Sequence, residues 1–229
     1  MRKLAIIPAR GGSKRIPKKN IKPFLGTPII KYSIDSALRS KIFDEVMVTT
    51  DNEEIADLSI SFGAKVPFYR SKENSDDYAT TSDVILEVLD SYKSIGKNFD
   101  IICCLYPTAP LINSNMLVDA YDLMLDKNVD SVITVTKFGF PIWRGFKIDD
   151  DKKASYIWPE NELKRSQDLE PVYHDVGQFY FLRVDKFLIQ KKLVMKNNSI
   201  IEIPESKVQD IDNLEDWKLA EIKFNLNRS

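Results

Sequence analysis

Five cations and no acid fall within the eleven residues from Arg10 to Asn20: Arg10, Lys14, Arg15, Lys18 and Lys19, beside the paired glycines Gly11 and Gly12 and the hydroxyl of Ser13. Glycines let backbone amides approach an anion closely, and guanidinium and ammonium groups supply the charge that a polyphosphate requires. The segment follows the apolar run Leu4 to Ile7, which reads as a first strand. In open α/β sheets ligands bind beyond the carboxyl ends of strands, so the loop is expected to cradle phosphates rather than to be a solvated basic surface. It is not a P-loop, because the G-x-x-x-x-G-K-[ST] spacing is missing, and no G-x-G-x-x-G follows.

A second candidate lies near the other end of the chain, Asp210-Ile211-Asp212, between an apolar strand and a helix capped by Asn213. Two hard oxygen donors suit Mg²⁺, which keeps waters and takes phosphate oxygens as further ligands. An acidic pair before a helix is more commonly a cap, and on the residues alone both readings stay open.

These groups must be positioned by the elements around them. Apolar runs alternate with segments of helical period, the pattern of an α/β fold with a largely parallel sheet. Strands are predicted at Leu4 to Ile7, Glu45 to Thr50, Ile101 to Leu105, Ser131 to Val135, Gln178 to Leu182 and Ile200 to Ile203. Helices are predicted from caps at Thr27, Asp51 (with Glu54), Ser114 and Asn213, the first burying Ile30, Ile34, Ala37 and Leu38. A further helix carries Ile85, Val88, Leu89 and Tyr92 and stops at Gly96. From Lys137 to Tyr173 the rhythm changes to short aromatic pieces broken by prolines, read as an excursion of β-hairpins.

The 229 residues, 43% apolar, are enough for one globular unit, residues 1–229, with 137–173 as the excursion. Lys plus Arg number 33 against 34 for Asp plus Glu, so no general attraction to nucleic acid or anionic lipid is expected, and any basic site is local. No apolar stretch approaches the roughly 20 residues needed to cross a bilayer, and a cytoplasmic location is expected. Cys103 and Cys104, adjacent on a strand, should point to opposite faces as small buried hydrophobes.

The run Ile7-Pro8-Ala9-Arg10-Gly11-Gly12-Ser13-Lys14-Arg15-Ile16-Pro17-Lys18-Lys19-Asn20-Ile21 resembles the signature that opens the acylneuraminate cytidylyltransferases. Thr50-Asp51, Gly63-Ala64, Val66-Pro67-Phe68, Thr81-Ser82, Pro107-Thr108-Ala109-Pro110 and Asp210-Ile211-Asp212 fall in that family's order across nearly the whole chain. The resemblance implies a Rossmann-like nucleotidyltransferase sandwich with a small hairpin dimerisation excursion. It also implies the reaction of CTP with an acidic nine-carbon α-keto sugar, giving the CMP-sugar and pyrophosphate. Carried over by position, it implies that Arg10, Gly11, Ser13, Lys19 and Asn20 hold the triphosphate with Lys14 nearby, and that Arg70 and Ser82 contact the cytidine. Asp210 and Asp212 would bind Mg²⁺, with Arg10, Lys19 and Asp212 carrying the chemistry. Two other classes remain to be separated: an Asp-x-Asp glycosyltransferase and a non-catalytic nucleotide-binding module.

Tyr106 stands before Pro107-Thr108-Ala109-Pro110 where the sialic acid enzymes usually carry glutamine. Phe140-Pro141-Ile142, Trp158-Pro159-Glu160, Arg165 to Leu169, Tyr173 to Tyr180 and Val208 to Asp212 resemble instead the branch that acts on pseudaminic acid. Sialic and legionaminic acids are the alternatives. Tyr106, Thr108, Arg165, His174 and Gln178 are the sugar-binding candidates. Arg165 suits a carboxylate because a guanidinium grips it at two points, its alternative being an exposed ion pair. A lone histidine is commonly structural, and His174 has the polar neighbours Asp175 and Gln178 as the argument for the sugar. The aromatic density of the excursion leads to the expectation of a homodimer in which Arg165 reaches the other subunit's site.

Overall fold

The computed structural model describes residues 1–227. In chain order the elements are β1 (Lys3–Pro8), β2 (Pro23–Phe24), β3 (Thr27–Pro28), α1 (Ile29–Ser40), β4 (Glu45–Thr49), α2 (Glu53–Ser61), α3 (Thr81–Ser94), β5 (Ile101–Leu105) and α4 (Ser114–Asp126). There follow β6 (Ser131–Lys137), β7 (Phe146–Ile148), β8 (Ala154–Tyr156), β9 (Tyr173–Arg183), α5 (Val184–Gln190), β10 (Asn198–Glu202) and α6 (Leu214–Leu226). Six strands form one sheet in the order β10-β6-β9-β5-β1-β4. Four of them, β4, β1, β5 and β9, lie side by side, with β1 parallel to both β4 and β5. β10 runs parallel to β6, and β9 runs antiparallel between β5 and β6, which makes the sheet mixed although mostly parallel.

Continuous burial explains the continuous apolar runs: Leu4 to Ile7 and Ile101 to Leu105 are covered on both faces. The alternation expected of adjacent cysteines holds. Cys103 packs with Ile7, Val48, Leu117 and Phe179 on one face, and Cys104 with Ile6, Met47, Ile85 and Tyr180 on the other. A third cluster matters most for function. Ile16 from the basic loop packs with Phe24, Ile29, Ile211, Trp217 and Ala220, so the hydrophobic effect ties the loop to the segment of the acidic pair and to α6.

The caps differ from expectation in three places. Thr27 lies in β3, and Pro28 precedes α1 with no side-chain cap. Asn52, not Asp51, caps α2, its Oδ1 accepting from Ile55 N at 3.0 Å, because the Asp51 carboxylate is engaged elsewhere. Asn113, one residue before Ser114, caps α4 through Met116 N. Asn213 caps α6 as expected, in a capping box with Asp216. Leu38, expected on the buried face of α1, is 40% exposed. The strand β4 ends at Thr49, one residue short of the predicted Thr50.

Between β6 and β9 the chain makes a single hairpin, β7 with β8, together with short helical turns at Ile142–Arg144, Pro159–Asn161 and Ser166–Asp168. Its aromatics pair with one another, Phe146 with Tyr156 at 4.4 Å and Trp143 with Trp158 at 5.3 Å between ring centroids. Phe140 and Leu163 stay 88% and 94% exposed. Among the described residues no helix is long and apolar enough to cross a membrane.

Candidate active site

The loop after β1 is held to the body of the protein by a few backbone and side-chain contacts. Ala9 N donates to Thr49 O at 3.0 Å, and Gly11 N donates to Asp51 Oδ1 at 2.8 Å, holding the loop to the end of β4. At Gly11 an added Cβ would lie 3.0 Å from Asn52 Cβ, so the close approach favours glycine. Asn20 is buried and donates from Nδ2 to Arg10 O at 2.9 Å. Asn20 therefore shapes the loop, and Ile16 anchors it in the core.

Above the loop opens a cleft of about 510 Å³ lined by Arg10, Ser13, Lys14, Arg15, Lys19, Asn20, Asp77, Tyr106, Thr108, Asp210 and Asp212. A smaller cleft of about 210 Å³ shares Arg10, Asp77 and Tyr106 with it and adds Arg70, Asn74 and Thr81. Residues from the two ends of the sequence thus meet at the carboxyl end of the sheet.

Charge is closely balanced there. Lys19 Nζ donates to Ile211 O at 2.7 Å, and Arg15 pairs with Asp212 at 2.8 Å. Burial holds the Lys19 ammonium below the usual lysine range, against the pull of Asp212 and Asp210. The Asp210 carboxyl is pushed up, first by desolvation and then by the charge of Asp212, with Lys19 opposing. A carboxyl whose ionisation is disfavoured in the protein alone gains from any cation brought beside it, and the pair offers only hard oxygen donors. Both properties fit Mg²⁺. Among the described residues no group of three or more His, Cys, Asp or Glu side chains could hold a metal, so phosphate oxygens and water would complete the coordination of an ion on the pair.

Arg70 is buried rather than on the surface. Its Nη2 donates to Thr49 O at 2.6 Å and its Nε to Thr49 Oγ1 at 3.3 Å. Burial lowers its pKa, and Asp51 and Glu87 counter this. Ser82 lies in the first turn of α3 and lines neither cleft; its neighbour Thr81 does, with Oγ1 2.8 Å from the Tyr106 hydroxyl. The Tyr106 phenol, desolvated and near Cys104, is pushed up to about 12 and stays protonated at neutral pH.

Of the other sugar candidates, only Thr108 joins Tyr106 in the larger cleft. Gln178 is buried behind it; Gln178 O accepts from Tyr106 N at 2.9 Å, and Gln178 Oε1 has no hydrogen-bond partner. His174 is exposed, its ring against Phe138 and its Nδ1 3.0 Å from Asp175 O. Arg165 is exposed and grips Asp168 at 2.7 and 3.0 Å. Neither His174 nor Arg165 lines either cleft of its own chain.

Asp77 and Asn74 carried no distinguishing signal in the sequence, Thr81 stood there only in the resembling pair Thr81-Ser82, and Arg15 only as one of the loop's charges. Asp77 pairs with Arg10 at 2.9 Å and with Lys14, across more than sixty residues of chain. The one local signal was Asp76-Asp77 shortly before the Thr80 cap, which looks like ordinary solvated polarity.

Residues 4–215 match the Cytidylyltransferase family. A pseudaminic acid cytidylyltransferase of Campylobacter jejuni is 42% identical over 228 residues, covering 99% of this chain and 98% of the relative. A CMP-N,N'-diacetyllegionaminic acid synthase of Legionella pneumophila is 31% identical over 239 residues, covering 100% and 98%. Among solved structures, CMP:2-keto-3-deoxy-manno-octonic acid synthetase complexed with CTP is similar with a TM-score of 0.70 and 19% identity, over 100% of this chain and 99% of that one, which supports the fold. The glycosyltransferase alternative gives way to these matches. With a basic loop and an acidic pair facing one cleft, and with the family match extending over residues 4–215, the chain belongs to the cytidylyltransferase family.

Proposed function

We propose that the enzyme transfers CMP from CTP to the anomeric hydroxyl of pseudaminic acid. The single observation that carries the reading is the meeting of Arg10, Lys14 and Lys19 with Asp210 and Asp212 around one cleft, in a chain 42% identical to a pseudaminic acid cytidylyltransferase. The sugar's C2 oxygen bonds to the α-phosphorus, the bond from that phosphorus to the bridging oxygen breaks, and pyrophosphate departs while the hydroxyl proton passes to solvent. Catalysis of such a step is chiefly positioning and neutralisation of charge developing on the leaving group. Arg10, Lys14 and Lys19 supply that charge, and the Ser13 hydroxyl and the Gly12 amide orient the phosphates. Arg70, Asn74 and Thr81 in the adjoining cleft face the nucleoside.

Asp210 and Asp212 would hold Mg²⁺, which when bound supplies positive charge to the phosphate oxygens. Tyr106 and Thr108 border the sugar. We assign 137–173 as the dimer-forming segment, whose exposed Phe140 and Leu163 a second copy would cover, bringing its Arg165 toward the sugar carboxylate. CTP is a cytoplasmic metabolite, and the enzyme is placed there with it. The test is pyrophosphate release that requires both CTP and the sugar acid, with CMP-sugar identified by mass. Release of pyrophosphate without the acid, or CTP binding with no turnover, would overturn the reading.

A further inference from the structure

The cations of the loop already have an anion. Arg10 Nη2 pairs with Asp77 Oδ1 at 2.9 Å, Lys14 Nζ pairs with Asp77 Oδ2, and Arg10 Nη1 donates to Asp76 O at 2.5 Å. One carboxylate bridges the two side chains with both its oxygens, as a phosphate would. Asp77 sits in the segment between Arg70 and α3, and that segment is held at both ends. On one side Glu87 accepts from Ser71 N at 2.7 Å and Ser71 Oγ at 2.9 Å, and also from Asn74 Nδ2. On the other, Asp76 Oδ1 accepts from Tyr78 N and Ala79 N, each at 2.8 Å, and Thr80 begins α3 in a capping box with Asp83. Among the described residues the Asp77 carboxylate contacts Arg10 and Lys14 and none of these anchors. Its carboxylate is free to leave the cations while the segment keeps its shape, and both clefts include it in their lining.

We propose that Asp77 is a built-in, displaceable stand-in for the phosphates of the nucleotide: it holds Arg10 and Lys14 together before CTP arrives, is displaced by the triphosphate, and returns as pyrophosphate leaves. Breaking two half-exposed ion pairs costs little, and a triphosphate with several charges outcompetes one carboxylate. For the departing pyrophosphate the same competition works in the other direction, because Asp77 is tethered to the enzyme and is always present beside the cations it reclaims. Asp77 would thus weaken both ligands, and its benefit is release of product. The inference rests on the reading of Arg10 and Lys14 as phosphate-binding groups and adds to it a residue that opposes binding.

The test is the inhibition constant of pyrophosphate, measured at fixed CTP, sugar acid and Mg²⁺ in the full-length wild type and in D77N, D77A, D77E and R10A. D77N and D77A should bind pyrophosphate roughly three- to tenfold more tightly, the range expected of two exposed pairs. D77E, which keeps the charge, should stay near wild type, and R10A should bind pyrophosphate more weakly. A D77N value equal to or weaker than wild type, with R10A weakened, overturns the stand-in while leaving the cradle in place. An R10A value equal to wild type removes the cradle and the stand-in together.

Discussion

Lys19 Nζ donates to the carbonyl oxygen of Ile211 at 2.7 Å, so the basic loop that follows the first strand is fastened to the acidic pair 192 residues later. That bond places a cation between Asp210 and Asp212 and beside Arg10, and it is reinforced below by the packing of Ile16 on Ile211. The loop and the segment of the acidic pair are therefore joined by both a hydrogen bond and core packing.

Removing loop charge should stop the reaction without unfolding the chain. Arg10→Ala and Lys19→Ala are each expected to lower turnover by at least ~10²-fold, since each withdraws charge from the leaving pyrophosphate. Steady-state rates paired with thermal melts check this; turnover within a few fold of wild type in both would remove the cradle.

The acidic pair should trade stability for function. The folded pKa of Asp210 is raised above its unfolded value, so its stabilising contribution is present below the unfolded pKa and lost as pH rises through the folded one. Asp210→Asn should therefore melt higher than wild type at pH 7 without Mg²⁺, the gap closing as pH approaches about 4, while activity falls. A variant that melts at or below wild type at pH 7 contradicts the assignment. Asp212→Asn should need much more Mg²⁺ for the same rate, and a wild-type reaction indifferent to EDTA would show the pair misread.

A Cβ added at Gly11 would press on Asn52, the cap of α2, at 3.0 Å, so the loop or the cap must shift by a few tenths of an ångström. Gly11→Ala should displace the loop and lower kcat/KM for CTP by roughly ten- to hundredfold, with a small change in melting temperature. Unchanged kcat/KM would mean that the contact with β4 does not position the phosphates.

The elements around the site were legible because burial on both faces leaves continuous apolar strands, as in Leu4 to Ile7 and Ile101 to Leu105. The caps were less so. Asp51 and Asn52 are both good caps, and only the three-dimensional demand of Gly11 N for an acceptor decides that Asp51 turns away and Asn52 takes the helix. The antiparallel course of β9 was not read from Gln178 to Leu182, since a buried strand carries no mark of its direction. Asp77 was illegible for a similar reason: its partners lie more than sixty residues earlier, and nothing local separates it from any exposed acid.

Arg165 lines neither of the two clefts described for its own chain, and the proposed sugar-binding role is therefore expected to come from a second copy. Sedimentation should give a homodimer, and mixing Arg165→Ala with Arg10→Ala subunits should restore activity, because some hybrids contain one intact site. A fully active monomer would refute the dimer. Failure of two inactive variants to complement would confine the sugar site to one chain.

Cytidylyl transfer to pseudaminic acid is tested by kcat/KM for pyrophosphate release from CTP with pseudaminic, legionaminic and sialic acids in parallel. The highest value is expected for pseudaminic acid, by roughly tenfold or more, the discrimination that one or two lost polar contacts provide. A higher value for either of the other acids, or release that is independent of the acid supplied, would contradict it.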